Sequence, residues 1–290
     1  MRPRPSVIAL LFFISISLLS ACHTSPSGEG KRTVKVAILP EYSLELMASK
    51  YMDLIAYLSR ETGYRVEFVS SLSYTNYLST VESSKADIGF HNALIHNILV
   101  RTRGAYPLCQ VMSADGAKCT RGVVIVHRGS GIGDLSGIRG KRVMVISKRS
   151  VAAYLAPVAD CLEKGIVPDR DFRLIIGTRQ DEVVRKVLQH KVDAGFVRED
   201  VLRAAAKVMD ISDLRVVHLT SPYPNWVISA FRETDPEVAA RIKEALLRLD
   251  QGTPEGKAML EQMGAKGFVE AQESDFEQAR KLAAKLNLPL

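Results

Sequence analysis

The sequence predicts an α/β protein of two domains, and three observations carry that prediction. Strand-like and helix-like hydrophobic periods alternate from residue 34 onward, the pattern of a mostly parallel sheet flanked by helices. A second alternating set starts at the run VVIV, residues 123–126, and the glycine-rich loop 129–133 behind it. Setting 22 leader residues aside from the 290 leaves 268, which suits two domains of about 100–200 residues each.

The leader comes first. Arg2 and Arg4 precede an uncharged apolar run at residues 7–19 (VIALLFFISISLL), and Leu19-Ser20-Ala21-Cys22 follows. A basic start, a short apolar core and small residues before a cleavage point make a secretion signal over residues 1–22. The run is shorter than the about 20 residues a membrane span needs. Residues 23–33 are polar, with Pro, Ser and Gly, and read as a tether.

Residues 34–39 (VKVAIL) read as a buried strand. Leu44, Met47, Ala48, Tyr51, Leu54, Ile55 and Leu58 then recur at helical spacing until Gly63. Val66 and Phe68 alternate as a strand, Tyr77, Leu78 and Val81 mark a short helix, and ADIGF at 86–90 is a third strand. Leu94, Ile95, Ile98 and Leu99 mark another helix. In the second set, strands fall at 143–146, 174–176, 194–197 and 216–219, and helices at 152–164 and 181–190. Helices at 236–249, 255–263 and 275–285 close the chain.

Without the two signal arginines the net charge falls from +7 to +5, and bases are interleaved with acids. No block of like charge supports nucleic-acid binding; the mild field suits anionic solutes or an anionic membrane surface. Gly-x-Ser-x-Gly, His-Glu-x-x-His and Cys-x-x-Cys are all missing, so hydrolase, zinc and redox chemistry have no motif. His91 and His96 are five apart, off a common helix face, and loop 129–133 lacks the Lys-Ser/Thr of a nucleotide loop. No cofactor or metal is implied. Cys109 and Cys119 flank a turn-rich stretch and are candidates for a disulfide in an oxidising compartment; Cys161 reads as a buried free thiol.

Several marks recur in one order: Ile38-Leu39-Pro40, Leu58 to Gly63 as Leu-x-x-x-Thr-Gly, Tyr77 and Val81 before Ala86-Asp87-Ile88-Gly89, Arg121-Gly122 with the VVIV strand, Gly131-Ile132, residues 134–141 as Asp-Leu-x-Gly-x-x-Gly-Lys, and Val192-Asp193-Ala194-Gly195. In these the chain resembles the phosphate/phosphite/phosphonate-binding proteins of ABC importers, a branch of the periplasmic binding proteins. The resemblance covers the whole mature chain. It implies a two-lobed fold of the type II-like kind, each lobe a mostly parallel sheet flanked by helices, with two crossings. Lobe 1 would hold residues 34–122 and 224–290, and lobe 2 residues 123–223. Leu-Ser-Ala-Cys likewise resembles the bacterial lipoprotein signal, which implies lipid at Cys22 and anchoring to a membrane surface.

The ligand would sit between the lobes, outside the carboxyl ends of strands. Residues 150–157 (SVAAYLAP) align with the family's Ser-Thr-Ser-Gly-Tyr-Leu-x-Pro, where hydroxyls and amides at a helix start hold an oxyanion. Ser150 matches, but Val151, Ala152 and Ala153 follow, so two hydroxyls are missing. Arg179, where the family tends to have histidine, and Arg198, just past a strand, are candidates to supply replacement donors. Lys148 and Arg149 are basic neighbours. On lobe 1, His91-Asn92 stands where the family often has Gly-Pro, and Tyr42 and Tyr74 are candidate walls. Tyr223, in Tyr223-Pro224-Asn225-Trp226 at the second crossing, completes the ligand set. The implied function is an extracytoplasmic, non-enzymatic, monomeric binding protein, in the periplasm or at the cell surface. It would pass a small anionic solute to an ABC permease, or present it to a sensor kinase.

Overall fold

The computed structural model describes residues 31–288; the signal segment, Cys22 and most of the tether lie outside them. The elements in chain order are β1 (Thr33–Ile38), α1 (Leu44–Thr62), β2 (Arg65–Val69), α2 (Tyr77–Ser84), β3 (Ile88–His91), α3 (Ala93–Arg103), β4 (Tyr106–Ser113), β5 (Cys119–Thr120) and β6 (Gly122–His127). Then come β7 (Arg142–Val145), α4 (Ala156–Glu163), β8 (Arg173–Ile176), α5 (Gln180–Leu188), β9 (Ala194–Arg198), α6 (Glu199–Ala205), β10 (Leu214–Leu219), β11 (Tyr223–Pro224), β12 (Val227–Ala230), α7 (Pro236–Arg248), α8 (Pro254–Met263), β13 (Ala265–Glu270) and α9 (Glu277–Lys285).

Two main sheets form two lobes. The first has strand order β13-β4-β12-β3-β1-β2, the second β10-β6-β9-β7-β8. The sheets are mixed, which corrects the expectation of mostly parallel ones. In the first, β1 lies parallel to β2 and β3, while β12, β4 and β13 are antiparallel. In the second, β7 is parallel to β8 and β9, and β6 pairs antiparallel with β9 and β10. The chain leaves the first sheet after β4 and returns as β12, which runs against β1, β2 and β3; β6, the strand that enters the second sheet, likewise runs against β7, β8 and β9. At the crossing, β5 and β11 pair as a two-stranded ribbon, Tyr223 opposite Thr120.

Local chemistry sets the ends that face the cleft. α1 starts where the Ser43 hydroxyl accepts from the Leu46 N–H, and ends at Gly63 in the left-handed region. Its apolar stripe, Met47, Tyr51, Leu54, Ile55 and Leu58, packs into the core of lobe 1. α3 starts directly after β3 because Asn92 caps it, Oδ1 accepting from the Ile95 N–H. α9 buries Phe276, Ala279, Leu282 and Ala283 in a cluster shared with Leu94 of α3 and with Val124, Leu155 and Ala159 of the second lobe.

Candidate ligand-binding cleft

β1 runs out through Leu39 and Pro40 to Glu41, which is 3% exposed. The Glu41 carboxylate reaches across to lobe 2, where Oε1 accepts from Gln180 Nε2 at 3.1 Å and from Arg198 Nη1 at 3.2 Å. The Gln180 N–H donates to the Glu41 carbonyl, and Gln180 Oε1 accepts from the Arg198 N–H. Gln180 opens α5 and Arg198 ends β9, so both lie at carboxyl ends of the second sheet. The Arg198 guanidinium also donates to both oxygens of Asp200, at 2.8 and 2.9 Å, and to Asn225 Oδ1 at 3.1 Å. Its plane stands over Trp226, 5.5 Å from the ring centroid, and Trp226 meets Phe90 edge-on.

Burial pushes the Glu41 carboxyl above its usual range, against the pull of Arg198. Burial acts on Asp200 in the same sense, but its bidentate bond to Arg198 wins and holds it below the usual range. Arg198 stays charged although burial opposes it, because Asp200 and Glu41 both face it. Next to this cluster is a cavity of about 30 Å³ lined by Lys50, Tyr51, Ser113, Asp200 and Asn225 among others. Lys50 projects from α1, its Nζ 4.9 Å from the Tyr42 ring centroid and 5.7 Å from that of Tyr51.

A second polar junction lies on the same seam. Asn92 Nδ2 donates to the Arg149 carbonyl at 3.1 Å and pairs with the Tyr74 hydroxyl, which also bonds Ser150. Ser150 caps a π-turn at Val151–Leu155, its hydroxyl accepting from the Ala153 N–H and its carbonyl from the Leu155 N–H. The helix expected at 152–164 therefore opens one residue wider than an α-helix before α4 continues it.

The structure thus brings Tyr74, Asn92, Ser150 and Arg198 to the lobe junction, and Tyr42 packs against both cores there. Other expected residues are placed elsewhere. The His91 ring turns into lobe 1, where Nδ1 meets the Tyr77 hydroxyl at 3.1 Å and Nε2 meets Ser229 Oγ at 3.2 Å. With both nitrogens taken, His91 is an interior group and not a cleft donor. Val151 gives its side chain to the core of lobe 2, as does Tyr223 from the ribbon. Arg179 precedes α5 and acts at a distance on Glu45 of α1, whose carboxyl is held low mainly by backbone and Ser43 hydrogen bonds. The candidate disulfide is not formed in the structure: Cys109 and Cys119 are free. Cys109 is buried in β4 with Sγ toward the Lys243 carbonyl of α7, while Cys119 lies in the ribbon. Burial pushes the Cys109 thiol up to about 12.

Glu41, Lys50, Gln180, Asp200 and Asn225 escaped the sequence reading. One signal was available for Lys50. It falls three after Met47 and four before Leu54, so it interrupts the apolar stripe of α1.

His91 gives a testable pH dependence. Burial, then the neighbouring His96, hold its pKa well below the ordinary histidine value. The Tyr77 hydroxyl and Ser229 face its ring, and His96 in turn meets Ser229 and Glu273. A group held neutral in the fold contributes stability present above its unfolded pKa of about 6.5 and lost as pH falls toward its folded value, by up to about 1.36 kcal/mol per pH unit. Urea unfolding at pH 7, 6 and 5 is expected to show that fall, and the His91 ring-proton NMR shift to stay constant across it. A His91 shift that titrates near 6.5 contradicts the assignment.

Two α/β lobes joined by crossing strands, with buried polar groups of both lobes meeting in the cleft, define a bilobal solute-binding protein. A family model described as "ABC transporter, phosphonate, periplasmic substrate-binding protein" matches residues 36–276, and the chain belongs to that family. It is a substrate-binding component of the ABC transporter kind and not an enzyme. The chain is 26% identical over 249 residues to the phosphate-import protein PhnD of Mycolicibacterium smegmatis, covering 78% of this chain and 76% of that one. It is 21% identical over 288 residues to the phosphonates-binding periplasmic protein of Escherichia coli, covering 96% and 84%. PhnD1 of Prochlorococcus marinus, solved with methylphosphonate, superposes with a TM-score of 0.81 at 17% identity, covering 88% of this chain and 98% of that one. A binding-protein component of a phosphonate ABC transporter from Pseudomonas aeruginosa gives 0.82 at 15%, covering 89% and 87%.

Proposed function

We propose that this protein is an extracytoplasmic lipoprotein, anchored through lipid on Cys22, that delivers a small anionic solute of the phosphate and phosphonate class to an ABC importer. The observation that supports an anion is the interlobe cavity, where Lys50 stands beside Asn225 and Ser113 while the two lining carboxylates, Glu41 and Asp200, are engaged by Arg198. The cavity is about the size of one water, so a solute enters only when the lobes part. The family's own relatives, named for phosphate and phosphonate import, favour the same class. The Leu19-Ser20-Ala21-Cys22 sequence supports the anchor.

A thermal-shift screen of residues 23–290 against phosphate, phosphonates, sulfonates and carboxylates tests the solute. A ligand at 100 times its dissociation constant adds about 2.7 kcal/mol of stability. A neutral or cationic solute that stabilises the protein where no anion does refutes the reading. For the anchor, Cys22→Ala is expected to move the full-length protein from the membrane to the soluble fraction or to leave the leader uncut. A variant that stays processed and membrane-bound after salt washing refutes it.

A further inference from the structure

We infer that Lys50 is the residue that reads the solute's negative charge, and that the cleft selects a singly charged group over a dianion. The inference rests on the solute-binding reading above and narrows its substrate class.

Arg198 is the obvious cation, but its donors are taken. Nε and Nη2 face Asp200, Nη1 faces Glu41, and Nη2 also serves Asn225, which occupies four of its five N–H groups. Lys50 is different. Among the described residues no carboxylate lies in ion-pair range of its Nζ, and no acceptor is in hydrogen-bond range. The faces of Tyr42 and Tyr51 lie against the ammonium, contacts that orient a cation without satisfying its three N–H donors, while burial pulls its pKa below the ordinary lysine value and Glu41 and Asp200 oppose that only from beyond ion-pair range. It lines the interlobe cavity, so an acceptor on a bound solute completes it.

The charge count sets the selectivity. Glu41, Asp200, Arg198 and Lys50 sum to zero. A bound monoanion leaves the cluster at one negative charge, and a dianion leaves it at two, facing two carboxylates that already hold Arg198. In a dry site like charges repel strongly, so the second negative charge opposes binding. The family's hydroxyl-rich oxyanion loop would offset it, but here Val151, Ala152 and Ala153 follow Ser150 and carry no hydroxyls.

Methanesulfonate and methylphosphonate have similar shapes, and at about pH 8 the first carries one negative charge while the second is a mixture in which the dianion predominates. Titration calorimetry on residues 23–290 is expected to show methanesulfonate binding more tightly. Lys50→Met keeps the stem that packs on the tyrosines and removes a buried charge, so its melting temperature is expected to hold. Its affinity for methanesulfonate is expected to fall at least about tenfold, the loss of one charged hydrogen-bond partner. Wild type that binds either anion equally well as Lys50→Met overturns the role of Lys50. Tighter binding of methylphosphonate overturns the charge selection. Wild type that binds neither sinks the anion reading and the inference with it.

Discussion

Arg198→Met is expected to open the cleft of the unliganded protein. The substitution leaves the buried Glu41 and the half-buried Asp200 with no guanidinium between them, and it removes one of the two partners that hold Glu41 to lobe 2. Breaking a buried ion pair on one side typically costs about 3–5 kcal/mol while the orphaned charges stay dry. They need not stay dry here, because the pair spans the two lobes: parting them hydrates both carboxylates at the expense of the Glu41–Gln180 bonds. The expected result is therefore a larger radius of gyration in small-angle scattering, with urea stability lowered by less than the full amount. Adding Glu41→Gln should recover part of the compaction, since the amide keeps an acceptor for Gln180 without a charge. A single variant as compact and stable as wild type would show that Arg198 does not join the lobes.

The contrast between legible and hidden parts follows from what each residue does locally. β1, α1, β3 and α3 were legible because their apolar periods and caps are contained in short stretches, Ser43 to Gly63 for α1 and Asn92 at the start of α3. Ser150 was legible for the same reason, as a cap next to a strand. β4 was not, because its YPLCQVMS sequence carries Pro107, and proline argues against an inner strand. The strand tolerates it where its pairing with β12 slips, at Ser229 opposite Pro107. Strand direction was beyond reach, since it depends on which side of the crossing a segment returns to. Glu41 looks like a solvated charge on a loop, and the only local mark of Lys50 is that it interrupts the apolar stripe of α1. Only the second lobe, distant in sequence, turns them into cleft residues. His91 misled for the converse reason: a polar residue at a strand end can point into its own lobe as easily as out of it, and here Tyr77 and Ser229 draw it inward.

Gly122→Ala is expected to lower both stability and solute affinity. Gly122 begins β6 opposite Arg198, and its N–H and carbonyl are fixed by Thr220 Oγ1 and the Thr220 N–H, each at 3.0 Å. A Cβ on Gly122 would run into the Ala152 carbonyl and would lie 3.1 Å from Pro157 Cγ. The obstacle is backbone, so it cannot turn aside as a flexible side chain would. Overpacking of a dense interior usually costs about 1–3 kcal/mol, and an immovable neighbour puts this case at the upper end. Relief would come from shifting the π-turn at Val151–Leu155, which carries Ser150 toward or away from Tyr74 and Asn92. A strain at the crossing thus reaches the cleft through the turn that caps it. Gly133→Ala is the matched control, because a Cβ there meets nothing within 4 Å. Urea midpoints are expected to drop for Gly122→Ala and to stay within about 0.5 kcal/mol for Gly133→Ala, the range of an ordinary surface change. Equal behaviour of the two variants would show that the turn is not packed against β6 as described.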